Sequence, residues 1–200
     1  MDGFSQIRKI KIDDYINEIK SSLKNKNYLS ALSVALMIPD ICQKNDNAIA
    51  NYADWYNKYV FEKMYNMSYG EYERIKNNLS ELSQIRLDGD VCYSLRCAFL
   101  HSGTSSLFYK KSGQKKPAKV DGIELCMNSE SPMEMQYGET ASITRCNGEK
   151  TMSIRINIIS LTNSIIQGFE DYKKKKENTD LFFMIDWDKK GGNIIFTPKD

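Results

Sequence analysis

Residues 88–103 read Asp88-Gly-Asp-Val-Cys-Tyr-Ser-Leu-Arg-Cys-Ala-Phe-Leu-His-Ser-Gly103. This stretch carries its own start and stop signals. Asp88 is an N-cap residue whose carboxylate can accept a first-turn backbone N–H, and Asp90 sets a second anion at the positive end of the helix dipole. Gly103 supplies the left-handed residue that commonly ends a helix. Between them Val91, Leu95, Ala98, Phe99 and Ser102 recur on one face. Tyr93, Cys97 and Leu100 form a second apolar face, so the helix is expected to be central in a bundle.

Upstream, the periodicity is also helical. Residues 11–25 place Ile12, Tyr15, Ile16, Ile19 and Leu23 on one stripe. Asn27 can cap a second helix over Tyr28–Ile38, apolar on nearly every face and so expected to be covered all round. Pro39 removes an internal hydrogen bond and should kink or loosen the end of that helix. A third helix is expected over Ala48–Met64, rich in aromatic bulk from Tyr52, Trp55, Tyr56 and Tyr59. Between Tyr69 and Leu82 the sequence predicts only a short helix.

Downstream the pattern changes. Residues 104–119 hold Pro117, Gly113 and five lysines, which reads as an exposed loop. Val120–Met127, Met133–Tyr137 and Ala141–Cys146 alternate as strands. Ile154, Ile158, Leu161, Ile165, Phe169 and Tyr172 predict a long helix over Thr151–Lys175. Leu181–Trp187 and Asn193–Thr197 flank an Asp-Lys-Lys-Gly-Gly turn and predict a β-hairpin. The expected fold is mainly α, a helical bundle with a small C-terminal β embellishment of hairpins. Residues 1–200 are expected to form a single domain: a helical core at 8–103, the lysine-rich loop at 104–119, and residues 120–200 packed on the core.

Composition removes several functions. Lys and Arg number 28 against 26 Asp and Glu, a net charge of +2 that gives no global field for nucleic acid or membrane. No run of apolar residues is long enough to cross a bilayer, and Met1–Tyr15 lacks the continuous apolar core of a signal peptide. A cytoplasmic protein without membrane association is therefore expected. The cysteines, Cys42, Cys92, Cys97, Cys126 and Cys146, form no C-x-x-C pair, and the single histidine excludes a His-rich metal centre. Neither a metal nor a cofactor is expected, and no phosphate-binding glycine loop or dinucleotide fingerprint is present.

Any histidine chemistry must use His101. Arg96 lies five residues before it, a spacing that separates two side chains by about 140° and ~7.5 Å on an ideal helix. Unwinding before Gly103 is expected to swing His101 toward Arg96. An arginine within an apolar helix needs a partner or a polar cavity. Together the two groups suit phosphodiester chemistry: an imidazole can move the proton of a ribose 2′-hydroxyl, and a guanidinium matches a phosphate and stabilises its growing charge. A purely structural reading stands beside this one, with Arg96 paired to Asp40, Asp88 or another carboxylate and His101 favoured by the helix dipole.

Arg96 to His101 also fits the R-x(4–6)-H motif of the HEPN superfamily. Ala31–Ile41, the Trp55-Tyr56 helix and Gly89–Gly103 resemble a group of small bacterial HEPN-like proteins, over roughly residues 27–103. The resemblance implies an all-helical, metal-independent endoribonuclease or a non-catalytic binding module derived from one. It further implies a homodimer, RNA as substrate and, in many relatives, a toxin–antitoxin or antiviral setting with an operon partner protein. Arg96 would then be the phosphate-stabilising residue and His101 the catalytic histidine. One position departs from the pattern: many active members carry Asn or another polar residue after the arginine, and this chain carries Cys97.

Supporting candidates follow from position. Asp40 is the carboxylate expected to face Arg96 or His101, either to orient the histidine or to neutralise the arginine. Tyr93 and Ser94 precede the motif and could reach the same cavity. Lys110, Lys111, Lys115 and Lys116 are candidate RNA contacts beside Phe108 and Tyr109, which could stack on bases. A second basic run, Lys173–Lys176, ends a helix where cations are favoured without any ligand.

Overall fold

The computed structural model describes residues 7–44, 46, 48–103, 120–127, 139–146, 149–176, 180–186 and 194–196. Among these residues the chain is mainly helical with two small sheets. Strand β1 (Ile7–Lys11) runs directly into α1 (Ile12–Lys24), where the Lys11 N–H donates to the Asp14 carboxylate at 2.8 Å. Helices α2 (Tyr28–Ala35), α3 (Ile38–Lys44), α4 (Tyr52–Tyr59), α5 (Phe61–Tyr65), α6 (Tyr69–Ile75) and α7 (Gly89–Ser102) follow. Strands β2 (Gly122–Cys126), β3 (Glu139–Cys146) and β4 (Glu149–Asn157) lead into α8 (Ile158–Lys174), and β5 (Asp180–Asp186) and β6 (Ile194–Phe196) come last. One buried cluster joins residues from Ile12 to Tyr172 and contains the inner faces of α1, α2, α4, α7 and α8.

Several sequence expectations need correction. The apolar run from Tyr28 does not form one central helix: it breaks at Leu36–Met37, and Leu29 stands 60 % exposed. Pro39 is the second residue of α3, where a helix has no internal donor to lose, so it starts a helix instead of kinking one. The aromatic helix divides at Val60 into α4 and α5. The division lies where α8 packs closely. Gly168 of α8 lies so close to the Tyr59 carbonyl that an added Cβ would come within 2.8 Å of it.

The largest correction concerns Thr151–Asn157, which is strand and not the start of the long helix. Ile154 and Ile156 are fully buried on one face while Thr151 is exposed, a two-residue alternation that the Ile154–Ile158 spacing mimics as a helical step. Asn157 then caps α8 by accepting the Ser160 N–H. The β embellishment is also more than hairpins. Strand β4 pairs antiparallel with β3 but parallel with β2, and β5 pairs with both β6 and the N-terminal β1. The expected strand at Met133–Tyr137, the lysine-rich loop and the residues between β5 and β6 lie outside the described residues.

Helix α7 keeps its expected boundaries. Asp88 accepts the Val91 N–H at 3.0 Å, and Gly103 ends the helix at a φ of 60°. Val91, Cys92 and Leu95 are buried, but the second apolar face is not: Tyr93 is 45 % exposed, and Cys97 and Leu100 are half-buried. The helix therefore enters the core at its N-terminal half and comes to the surface at its C-terminal half. Its start is held by a close approach. A Cβ on Gly89 would sit 2.3 Å from the Ala53 carbonyl oxygen of α4, and the Gly89 N–H donates to the Asn57 side chain at 2.7 Å. Because the clash is with backbone, Gly89→Ala is expected to destabilise the fold by about 3 kcal/mol. Urea unfolding checks this, and an unchanged midpoint contradicts the close approach.

Candidate active site at the surface end of α7

Arg96 and His101 touch. The Arg96 Nη1 lies 2.9 Å from the His101 Nε2. A guanidinium can only donate, so Nε2 is the acceptor, and the ring is neutral with its proton on Nδ1. The helix does not unwind to make the contact, as expected from sequence, but stays α-helical through Ser102. The length of the arginine side chain covers the separation instead, reaching along the helix to the ring.

Asp40, in the first turn of α3, faces the other end of the guanidinium. Its Oδ2 is 3.0 Å from Nη2, an ion pair whose angle falls outside hydrogen-bond alignment. Both side chains are about three-quarters covered, at 23 % and 25 % exposure, while His101 is exposed. Partial burial works against the arginine's charge. The Asp40 carboxylate, followed by Cys97 and Tyr93, outweighs that and holds the proton more tightly than usual. One donor is left over: the Arg96 Nε–H is buried without an acceptor. An unmet buried donor costs about 1–3 kcal/mol, which an incoming acceptor would recover.

Tyr93 belongs to the same group and Ser94 does not. The Tyr93 phenol is held above its ordinary range, first by the influence of Cys97 one turn along the helix, with partial burial and Asp40 acting in the same direction and Arg96 opposing. The Ser94 hydroxyl turns back along the helix and donates to the Asp90 carbonyl at 2.9 Å. Asp88 caps α7 far from the guanidinium, so of the two named carboxylates it is Asp40 that pairs with Arg96. Lys110, Lys111, Lys115 and Lys116, with Phe108 and Tyr109, lie outside the described residues.

The second basic run is held within the molecule. Lys173 pairs with Asp13 at 2.7 Å, Lys174 with Asp171 at 2.8 Å and Lys176 with Asp46 at 2.9 Å, and the Lys175 ammonium lies over the Tyr59 ring. Among the described residues no group of three His, Cys, Asp or Glu side chains is arranged to hold a metal ion. No helix among them is long and apolar enough to cross a membrane.

Sequence reasoning missed two groups near this region. Tyr52 of α4 backs Tyr93, with ring centroids 5.4 Å apart. Glu139 of β3 reaches the segment before α7, where its carboxylate accepts from the Tyr65 hydroxyl at 2.5 Å and the Leu87 N–H at 3.1 Å. Neither had a local signal, since each meets its partner across more than 35 residues. Compared with protein-family models, curated proteins and solved structures, the chain matches none.

Proposed function

We propose that this protein is a metal-independent endoribonuclease of HEPN type, cytoplasmic and working as a homodimer, in a toxin–antitoxin or antiviral setting with an operon partner protein. The observation that carries the reading is the Arg96–His101 contact at the exposed end of α7. His101 is neutral in that contact and so is in the state that takes a proton. In the proposed reaction an RNA phosphate draws the Arg96 guanidinium to its oxygens, which frees the His101 Nε2. The imidazole takes the 2′-hydroxyl proton, and the 2′-oxygen forms a bond to phosphorus while the bond to the 5′-oxygen breaks. The leaving oxygen takes a proton from solvent water, giving a 2′,3′-cyclic phosphate and a 5′-hydroxyl end, and the imidazolium later returns its proton to solvent. Arg96 stabilises the charge that grows on the phosphorus oxygens, and Asp40 keeps the guanidinium oriented.

A second reading rests on the Asp40–Arg96 pair and on Cys97 in place of a polar side chain: a HEPN-like binding or structural module that takes a partner protein or a nucleotide without turnover. The two are separated by incubating the purified protein with RNA in excess EDTA and analysing the ends. Fragments with 2′,3′-cyclic phosphate ends are expected. Intact RNA under these conditions overturns the nuclease reading and leaves the binding module.

A further inference from the structure

We propose that Tyr93 is a substrate-positioning residue whose ring stacks on a nucleobase beside the phosphate held by Arg96. The inference rests on the nucleic-acid reading of the site given above, and adds to it a contact with the base. Exposure of one aromatic ring is ordinary on a protein surface and argues nothing by itself. Here three further facts converge. Tyr93 lies three and four residues before Arg96 and Cys97, so all three share one side of α7. Its ring is braced, not free: it leans on Tyr52 at 5.4 Å and 55°, and buried Tyr52 is itself fixed by a 3.4 Å contact between its hydroxyl and the Cys92 sulfur. Its phenol feels the charges of both Arg96 and Asp40, so it stands beside their ion pair.

A ring held on one side and open on the other is what a base needs in order to stack without ordering the protein first. Stacking one base on an aromatic side chain is worth about 1–3 kcal/mol and tolerates any base, because every base has a π-face. The eight residues from Tyr93 to His101 correspond to about 12 Å of helix rise. With Arg96 between them, a backbone phosphate at the guanidinium leaves Tyr93 to the base on one side and His101 to the sugar on the other. The lysines that could add backbone attraction are not needed for this geometry.

The test uses probes that cannot be cleaved: a 2′-O-methyl RNA tetranucleotide and the same 2′-O-methyl ribose-phosphate backbone without bases. The full-length protein is expected to bind the base-bearing probe more tightly, by roughly 5- to 150-fold for a single stacked base. Tyr93→Ala is expected to abolish that difference while keeping the affinity for the bare backbone. Tyr93→Phe is expected to retain the difference, since stacking needs the ring and not the hydroxyl. In the Tyr93→Trp variant, indole fluorescence is expected to be quenched by the base-bearing probe alone. On cleavable RNA, Tyr93→Ala should raise KM and leave kcat nearly unchanged. Equal affinity of the unaltered protein for both probes overturns the proposal. So does a Tyr93→Ala variant that keeps the preference for bases, and so does a site that binds neither probe and takes a protein partner instead. If RNA is not cleaved in EDTA but the base preference persists and depends on Tyr93, the nuclease reading falls and the stacking contact stands.

Discussion

His101→Ala is expected to lower RNA cleavage by about 10²- to 10⁴-fold, the range that loss of a positioned general acid or base produces. The fold should hardly notice, because His101 is exposed at the last turn of α7 and such surface changes usually fall within about 0.5 kcal/mol. Arg96→Ala should cost about 10²- to 10³-fold in kcat, as removal of a charge-stabilising donor does elsewhere. Arg96→Lys should not restore it. The ammonium is a point charge and cannot span Asp40 and a phosphate with a planar fork. Removing Arg96 also frees Asp40, but both side chains are partly hydrated, so the stability loss should stay below about 1 kcal/mol. The double variant should be little worse than either single one, because the two residues act as a unit. Single-turnover kinetics alongside thermal melts distinguish the cases. Full activity in His101→Ala ends the mechanism, and loss of folding in both variants makes the pair structural.

Glu139→Gln is expected to stabilise the protein at pH 8 and leave it unchanged near pH 4. Glu139 is 3 % exposed, and burial pushes its carboxyl up to about 7, with nearby Asp88 adding to the rise. The Tyr65 hydroxyl, the Arg86 guanidinium and the Leu87 N–H lower it without overcoming desolvation. The buried Tyr56 of α4 also lies close enough to be influenced by the carboxylate. The unfolded chain releases this proton near 4.5, whereas the folded one holds it until about 7. Between those limits the folded state binds more protons, so this group's contribution to stability is full below the lower value. It falls as pH rises through the window and is flat above it. A neutral glutamine can still accept from Tyr65 and Leu87 but has no charge to bury. The expected gain at pH 8 is on the order of 1–3 kcal/mol. Urea titrations of both proteins at pH 4.5 and 8 check it, and parallel pH profiles would rule it out. The effect bears on the site because Glu139 fastens β3 to Leu87, directly before the Asp88 cap of α7.

Legibility from sequence tracked how local each cause was. The cap at Asp88, the glycine at 103 and the stripe of Val91 and Leu95 all act within a turn or two, and α7 stands where they place it. The effect of Pro39 depends on where a helix begins, and α3 begins at Ile38, one residue before it. Thr151–Asn157 reads as helix in the sequence because a single step from Ile154 to Ile158 satisfies both periods. Pairing with β2 and β3 on either side decided for strand. Strand β1 had no pattern of its own, with Ile7 and Ile10 its only large apolar residues, and exists through its partner β5 some 170 positions away.

The sequence by itself determined that the chain is mainly helical and that its one histidine stands five residues after an arginine at the end of a capped helix. Both follow from interactions between near neighbours, which any reading of spacing can capture. Only the tertiary structure decided that the arginine spans the gap to His101 without unwinding the helix. It also decided that Asp40 is the carboxylate opposite, and that the Tyr93 side of α7 faces solvent instead of the core. Those outcomes depend on how α3 and α4 pack around α7, on which residue is covered and which donor is left without an acceptor. Spacing along one helix says which side chains share a face, and the neighbouring elements say what that face meets.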